Sequence, residues 1–150
     1  MSDLSNKYEF LPASLRDLIP IRRLEKICFP VDAWPLLDML GALTFPNMVR
    51  HKVRDGEELV AFIIGEVRLS ARTGWIATVC VHPDYRRQGI AEALLSMCEQ
   101  EMEQPRIRLT VRESNLGAIK MYQASGYYEV NRWKQYYKGG EDGIVMEKIL

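Results

Sequence analysis

The chain is predicted to fold as one α+β domain over residues 1–150, with a mixed, mostly antiparallel sheet of seven strands and helices on both faces. Three observations indicate this class. The spacing of apolar residues changes repeatedly between a period of about 2 and a period of about 3.6. The signal Asp55-Gly56 joins two strands without a helix, as in an antiparallel hairpin. The segment Trp75–Val81 is apolar almost throughout, which is typical of a strand covered on both faces.

The N-terminal third is predicted to contain one strand and two helices. Asp17 is expected to cap the first helix, because a carboxylate that precedes an apolar stripe can accept hydrogen bonds from the free amides at the start of a helix. Phe29-Pro30 ends that helix, and Trp34-Pro35 opens the second. The expected positions are Tyr8–Pro12 for the strand, Ile21, Leu24 and Ile27 or Cys28 for the first apolar stripe, and Leu36, Leu40 and Leu43 for the second, which ends before Pro46.

The remaining segments complete the order β-α-α-β-β-β-α-β-α-β-β. Gly65 is expected to interrupt a long apolar strand, and Ser114 or Asn115 to cap the last helix, which stops at Gly126. A change of period after His82-Pro83 marks the start of the third helix. The expected strands are Met48–Val53, Glu58–Leu69, Trp75–Val81, Ile107–Arg112, Tyr127–Tyr137 and Gly143–Ile149, and the third helix is expected over Gly89–Met102.

The composition narrows the classes of partner. The 20 basic residues balance 20 acidic ones, so neither nucleic acid nor an anionic membrane is expected as a partner. Cys28, Cys80 and Cys98 lie in apolar runs, too far apart in sequence for a metal cluster, and are expected to be reduced thiols. The sequence shows no basic-then-apolar leader and no apolar run of about 20 residues, so we expect a cytoplasmic protein. Because the cysteines are so far apart, we also expect no resident metal.

The segment from Arg86 to Ala91 joins a buried strand to a helix. A helix start offers unpaired N–H groups and the positive end of the helix dipole, so it binds anions readily. Gly89 permits a ligand to approach the backbone closely, and Arg86 and Arg87 add positive charge. The same residues also fit an ordinary strand–helix junction with a solvated arginine pair. The segment lacks the Gly-Lys-Ser/Thr ending of a Walker loop and the further glycines of a dinucleotide fingerprint.

Several motifs in register give the chain a family resemblance. The pattern V-x-V-x-P-x-Y followed by Arg86-x-x-Gly89-x-Ala91 resembles the acetyl-CoA loop of the GCN5-related N-acetyltransferase (GNAT) family. The segment L-T-V-R-E-S-N-L-G-A-I-K-M-Y-Q-A-S-G-Y resembles a strand and helix of its RimI branch. Phe29-Pro30-Val31, Tyr136-Tyr137 and Glu141–Met146 also resemble that branch and the related protein N-terminal α-acetyltransferases. The element order matches as well, so the resemblance spans nearly the whole chain and implies a GNAT-like fold.

The resemblance implies a site for acetyl-CoA as cosubstrate and no metal. The pantetheine arm would pair with the backbone of a strand that parts from its neighbour, and the pyrophosphate would bind helix amides. Asn115 matches an asparagine that contacts the coenzyme, and Tyr122 matches the general acid. Helical spacing places these two on one face, although a half-buried core aromatic would fit Tyr122 too. The implied coenzyme-binding residues are Val79, Cys80, Val81, Arg86, Arg87, Gln88, Gly89, Ile90, Ala91, Glu92, Asn115 and Tyr122.

One position departs from the family pattern. Thr110 occupies the place of a glutamate that is the proposed general base in the RimI branch, and a hydroxyl is not a useful proton acceptor near pH 7. Glu66 is the first candidate to replace it, followed by Asp32 and Glu113, or by a water held through Thr110. Each of these carboxylates also fits a solvated or ion-paired role.

The acceptor is expected to be a primary amine, above all the α-amine of a protein or peptide N-terminus. At pH 7 an α-amine of pKa near ~8 loses its proton at a cost of roughly 1 kcal/mol, whereas a lysine needs roughly 4–5 kcal/mol. A missing base therefore matters less for an α-amine. The expected acceptor contacts are Phe29, Pro30, Val31, Asp32, Tyr136 and Tyr137, unless these residues only close the core.

Two alternatives stay open at this point. One is acetyl transfer to a small amine, such as a polyamine, an aminoglycoside or an amino acid. The other is a non-catalytic module that binds acyl-CoA. The paired tyrosines of the last hairpin favour a peptide over a small amine, and Tyr122 argues against the non-catalytic module. The chain is expected to act as a monomer or a homodimer.

Overall fold

The computed structural model, which describes residues 2–150, contains one sheet of seven strands. The strands are β1 (Glu9–Pro12), β2 (Met48–Asp55), β3 (Glu58–Arg68), β4 (Thr73–Val81), β5 (Arg106–Arg112), β6 (Tyr128–Trp133) and β7 (Gly143–Ile149). Their order across the sheet is β1-β2-β3-β4-β5-β7-β6. Neighbouring strands are antiparallel except β4 and β5, which are parallel. The predicted mixed, mostly antiparallel sheet is therefore confirmed.

Helices cover both faces of this sheet, as predicted. They are α1 (Ser2–Lys7), α2 (Leu18–Cys28), α3 (Leu36–Thr44), α4 (Ile90–Met102) and α5 (Leu116–Ala124). Alternation along β3 divides the core, because successive side chains of a strand point to opposite faces. Ala61 and Ile63 pack in one cluster with α4 and α5, whereas Phe62 and Ile64 pack in a second cluster with α2 and α3.

An irregularity in the β3–β4 pair lies beside Gly65. The pairing register shifts between Ile64 and Gly65, but β3 itself continues unbroken from Glu58 to Arg68, so the predicted break in this strand was wrong. An added Cβ at Gly65 would lie 2.8 Å from Sγ of Cys98, so glycine is what lets α4 pack this closely on the strand. The shift leaves Ala77 of β4 without a partner in the β3 register, as in a bulge.

The strands β4 and β5 separate after a short stretch of pairing. The parallel ladder joins Thr73–Ile76 to Arg106–Leu109, although β4 continues to Val81 and β5 to Arg112. Within residues 2–150, the second half of β4 therefore has no strand partner on its β5 side, while its other side stays paired with β3. A cleft opens where the parallel ladder ends.

The strand predicted over Tyr127–Tyr137 is shorter in the structure and ends at Trp133. The amide of Gln135 donates a hydrogen bond to Oδ1 of Asp142 at 3.0 Å, which turns the chain out of the ladder. The prediction was wrong here because aromatic residues favour a strand locally, whereas this contact with a side chain seven residues further along the chain ends it.

Three further details of the helices differ from expectation. Ser2–Lys7 forms a helix before β1 that the sequence pattern did not predict, since Leu4 is its one apolar residue. Asp17 stands at the start of α2, but its carboxylate accepts hydrogen bonds from the amide of Ser14 (2.9 Å) and from Lys52 (2.7 Å), not from the helix. Leu36 is exposed; the buried residues of α3 are Met39, Ala42 and Leu43.

Candidate active site

A cleft of about 1120 Å³ opens at the point where β4 and β5 separate. The start of α4 and the free half of β4 form one wall, and β5 with α5 forms the other. The residues of the predicted site that line it are Phe29, Asp32, Glu66, Val79, Val81, Arg86, Arg87, Gly89, Ile90, Ala91, Glu92, Asn115, Tyr122, Tyr136 and Tyr137. The fold thus brings the predicted coenzyme loop, the last helix and residues of both predicted acceptor segments to one cavity.

Four residues of the predicted site lie outside this lining. Cys80 is buried in the α2–α3 cluster, on the face of β4 opposite to Val79 and Val81, because successive side chains of a strand alternate between its faces. The side chain of Gln88 accepts a hydrogen bond from the hydroxyl of Tyr8 at 2.8 Å. Pro30 and Val31 do not border the cavity. For Cys80 and Gln88 a contact with a ligand in the cleft would have to come from the backbone.

The start of α4 presents free amides to the cleft. Arg87 and Gly89 have φ of +62° and +90°, and these left-handed residues turn the chain sharply before the helix. The first hydrogen bond of the helix runs from the amide of Ala93 to the carbonyl of Gly89 (3.0 Å), so the three amides between them have no partner within the helix. Nε of Arg86 donates to the carbonyl of Val81 (3.0 Å). This arrangement places a guanidinium beside a positive helix end, which suits a phosphate ligand.

Tyr122 and Asn115 lie on the α5 wall of the cleft. Asn115 is the cap of α5, since its Oδ1 accepts from the amide of Ala118 at 3.3 Å. Tyr122 is 8% exposed, and its ring centroid lies 6.0 Å from that of Tyr127. Burial, and next the phenol of Tyr137, raises the pKa of the Tyr122 phenol above its usual range. The phenol therefore keeps its proton at neutral pH and is chemically able to donate it.

Arg112 connects two loops at the end of the cleft that Asp32 and Tyr137 line. Its Nε and Nη2 donate to the two carboxylate oxygens of Asp32 (2.7 and 2.8 Å), and its Nη1 donates to Glu141 (2.8 Å). Its guanidinium carbon also lies 4.6 Å from the ring centroid of Tyr137. These hydrogen bonds raise the pKa of Arg112 further, so it stays charged. One side chain thereby joins the α2–α3 loop to the β6–β7 loop.

A row of aromatic rings forms the wall beside this network. Trp75 stacks on Trp133 with ring centroids 5.9 Å apart, Trp133 meets Tyr136 at 5.0 Å, and Tyr136 meets Tyr137 at 4.9 Å. Arg68 lies over the outer tryptophan, 4.9 Å from the Trp75 ring centroid. Apart from the two tyrosines, sequence reasoning missed these residues. The alternation of side chains along β4 could have indicated the position of Trp75. It places the Trp75 ring on the face of the strand opposite to the side chain of the next residue.

The carboxylates considered as bases are all ion-paired in the structure. Oε1 of Glu66 accepts from Nε of Arg68 at 2.5 Å, and its side chain is 32% exposed to the cleft and solvent. Asp32 is held in the network described above. Glu113 pairs with Arg132 and does not line the cleft. Thr110 does line it. Among residues 2–150, no group of three or more His, Cys, Asp or Glu is placed to hold a metal ion.

Comparison with solved structures identifies the class of protein that this fold and cleft define. The chain superposes on the crystal structure of the ribosomal-protein-S18-alanine N-acetyltransferase from Escherichia coli with a TM-score of 0.85 and 26% sequence identity, over 95% of this chain and 93% of that one. The fold is thus an acetyltransferase fold. Residues 18–127 match the profile of the acetyltransferase (GNAT) family. The chain belongs to the GNAT family.

Two relatives illustrate the position of the chain within this family. It is 37% identical over 101 residues to the N-terminal acetyltransferase B complex catalytic subunit NAA20 of Arabidopsis thaliana, and this segment covers 63% of the chain and 58% of the relative. It is 37% identical over 95 residues to the [ribosomal protein bS18]-alanine N-acetyltransferase of Escherichia coli K12, covering 59% and 63%. Each match therefore spans less than two thirds of the relative. In the described part of the chain no helix is long and apolar enough to cross a membrane.

Proposed function

We propose that the protein transfers the acetyl group of acetyl-CoA to the N-terminal α-amine of a protein or peptide. The observation that carries this proposal is the meeting of three elements in one cleft: the free amides of α4, the unpaired half of β4 and the phenol of Tyr122. A relative named as an N-terminal acetyltransferase and another named as an alanine N-acetyltransferase of a ribosomal protein support this acceptor. Because both substrates would share the cleft, the acetyl group passes directly between them.

The coenzyme is proposed to lie along the α4–β4 wall. Its pyrophosphate would accept hydrogen bonds from the free amides at the start of α4, with Arg86 and Arg87 at the rim. Its pantetheine arm would pair with the backbone of Val79–Val81 on the side that β5 leaves free. The thioester then points toward the α5 wall, where Asn115 and Tyr122 lie.

In the proposed reaction the neutral amine attacks the thioester carbonyl. The C–N bond forms while an amide of β4 near Val79 donates a hydrogen bond to the developing oxyanion. The C–S bond then breaks, and Tyr122 gives its proton to the departing sulfur. The ammonium proton that the amine must lose passes to water or to Glu66, and the tyrosine regains a proton from solvent.

A peptide fits the acceptor side better than a small amine does. The aromatic row of Trp75, Trp133 and Tyr136 offers apolar faces and hydrogen-bonding edges to residues that follow the amine. A small amine would leave this wall unused. One chain supplies both walls of the cleft, which is compatible with a monomer or a homodimer. The three free thiols suit a reducing compartment, and we place the reaction in the cytoplasm.

The decisive experiment compares acceptors. Acetyl transfer is measured on short peptides with varied first residues and, in parallel, on polyamines, aminoglycosides and amino acids. For the preferred peptides, kcat/KM is expected to exceed that of any small amine by roughly 100-fold, since the site's apolar and polar contacts are then satisfied. Transfer to small amines alone would contradict the proposed acceptor. Coenzyme binding without transfer to any amine would contradict the proposed enzyme.

Replacing Glu66 by glutamine tests the role of this carboxylate. With an N-terminal peptide as acceptor, we expect kcat to fall by less than about tenfold, because an α-amine is already ~10% neutral at pH 7. The bond from Arg68 already occupies one of the Glu66 oxygens, which limits its use as a base. Activity is measured from pH 6 to pH 9 for both proteins. A loss above about 100-fold at pH 7 that disappears at high pH would instead identify Glu66 as the base.

Replacing Arg112 by methionine tests the link between the two acceptor loops. Without the guanidinium, Asp32 and Glu141 lose their common partner and the loops separate. We expect the peptide KM to rise roughly tenfold, equal to about 1.4 kcal/mol, because binding must then order both loops. The matched control is Arg132→Met, which also removes an ion-paired arginine but outside the cleft. A peptide KM of Arg112→Met equal to that of the unchanged protein would show that the link has no role in binding.

A further inference from the structure

Two of the three cysteines lie together in the cluster on the α2–α3 face of the sheet, where their thiols are in contact. Cys28 is the last residue of α2 and is half-buried. Cys80 lies on β4 and is 2% exposed, in the cluster that β4 forms with α2 and α3. In the thiol form, Sγ of Cys28 donates to the carbonyl of Val81 at 3.5 Å, so it sits against the end of the same strand.

A cation stabilises the anionic form of Cys28. Nη2 of Arg86 lies 3.8 Å from its Sγ, while Nε of the same arginine is held by Val81. A hydrogen bond from the Cys80 thiol, and then the contact with Arg86, lowers the pKa of Cys28 to about 7. A substantial share of Cys28 is therefore thiolate at neutral pH, and the thiolate is the nucleophilic form of cysteine.

The other two cysteines have the opposite chemistry. Burial raises the pKa of Cys80 well above its usual range, and burial raises the pKa of Cys98 to about 12. Cys98 packs in the cluster on the other face of the sheet. The arrangement contains one nucleophilic thiol, one neutral thiol beside it and one distant buried thiol, which is the pattern of an attacking and a resolving cysteine.

We propose that Cys28 and Cys80 form a reversible disulfide when the protein meets a hydroperoxide, and that Cys28 is the attacking residue. The Cys28 thiolate attacks the terminal oxygen of the peroxide, so an S–O bond forms and the O–O bond breaks, releasing hydroxide from hydrogen peroxide or an alkoxide from an organic hydroperoxide. The Cys80 sulfur then attacks the Cys28 sulfur; the S–S bond forms, the S–O bond breaks, and oxygen leaves as water with the thiol proton. The two thiols lose two electrons and the peroxide gains them. A dithiol reductant restores both thiols by exchange.

The disulfide would act on the coenzyme loop through Arg86. Oxidation removes the thiolate that faces Nη2, so the guanidinium keeps only its bond to Val81. Since Arg86 lines the cleft and has then lost one of the two contacts that fix its guanidinium, binding must order this side chain again, and we expect acetyl-CoA affinity to fall by roughly tenfold. This second step rests on the proposed function, whereas formation of the disulfide does not.

Mass spectrometry of the folded protein tests the proposal. The protein is treated with one equivalent of hydrogen peroxide, unfolded, alkylated and mapped. We expect a cross-linked pair of peptides containing Cys28 and Cys80, with Cys98 still alkylated. Cys98→Ala should behave like the unchanged protein, Cys28→Ser should give no cross-link, and Cys80→Ser should leave a sulfenic acid on Cys28 that dimedone traps. When the pH is varied, the initial rate of Cys28 alkylation should reach half of its maximum near pH 7, the pKa of this thiol.

The possible results distinguish the disulfide itself from its effect on acetyl-CoA binding and from the proposed function. Free Cys28 and Cys80 after peroxide treatment, or a cross-link through Cys98, would overturn the proposal. A Cys28–Cys80 disulfide with unchanged acetyl-CoA affinity would overturn its effect on the coenzyme loop. A disulfide in a protein that acetylates no amine would leave this inference standing and remove the proposed function instead.

Discussion

Replacing Tyr122 by phenylalanine is expected to lower kcat by about 10²–10³-fold, within the range that general acid catalysis supplies. The dissociation constant of acetyl-CoA should change little, because the substitution removes one oxygen and keeps a ring of the same shape in the same buried place. The reason for the loss is that the departing thiolate then has no proton donor on the α5 wall. Steady-state kinetics with a reactive peptide, combined with coenzyme binding by calorimetry, measures both quantities.

Tyr127→Phe is the matched control for this substitution. Its phenol is also buried in the α4–α5 cluster and donates to Glu99 at 2.7 Å, but it does not line the cleft. This variant should lose stability and keep its turnover. If Tyr122→Phe retained more than about a third of kcat, a difference too small for a catalytic proton transfer, Tyr122 would have no role as the acid.

The raised pKa of Tyr122 fixes the sign of the pH dependence. The protonated phenol is the active form, and it persists through the neutral range because its pKa lies above the usual value. Deprotonation of the acid therefore does not lower the rate between pH 6 and about 9, while the rate rises as the α-amine of pKa near ~8 loses its proton. A fall in kcat within that interval would contradict the assigned acid.

Replacing Gly89 by valine is expected to weaken acetyl-CoA binding by about 100-fold or more, which corresponds to a loss near 2.8 kcal/mol. Gly89 has φ of +90°, a conformation that a β-branched residue avoids at a cost of about 1–3 kcal/mol. The first helical hydrogen bond of α4 ends on this residue, so a change in its backbone turns the free amides away from the cleft. Titration of the folded variant with acetyl-CoA measures the change.

Gly139→Val is the control that separates the backbone strain of a valine at positive φ from a loss of acetyl-CoA binding. Gly139 has φ of +89°, nothing lies within 4 Å of an added Cβ, and the residue does not line the cleft. It should lose a similar amount of stability in thermal unfolding and bind acetyl-CoA normally. Normal binding by Gly89→Val would rule out the α4 start as the phosphate site.

The parts of the site that the sequence predicted depend on local signals. The start of α4 follows from a glycine and a change of hydrophobic period, and the cap of α5 from Asn115, whose side chain serves an amide three residues on. The register shift in the β3–β4 pair lies beside Gly65, the position that the sequence marked as irregular. In each case the group that shapes the backbone lies within one turn or one strand, where spacing carries the information.

The parts that it did not predict depend on contacts between distant segments. Arg112 meets Asp32 across 80 residues, and Arg86 meets Cys28 across 58. The end of β6 depends on Asp142, which draws the amide of Gln135 away from the ladder. None of these three contacts leaves a periodic signal in the sequence, because the residues meet only after the chain has folded. By contrast, the alternation of side chains along a strand is enough to predict that Val79 and Cys80 point to opposite faces of the sheet.

The short parallel pairing of β4 and β5 has a consequence for folding as well as for catalysis. An unpaired strand edge is a place where a second chain can add, and β4 presents such an edge in the cleft. If the pantetheine arm occupies it, the coenzyme acts as a substitute strand. At a free concentration of about 100 times its dissociation constant, such a ligand would add about 2.7 kcal/mol to the free energy of unfolding. Starvation for acetyl-CoA would then leave the protein idle and also more prone to aggregate.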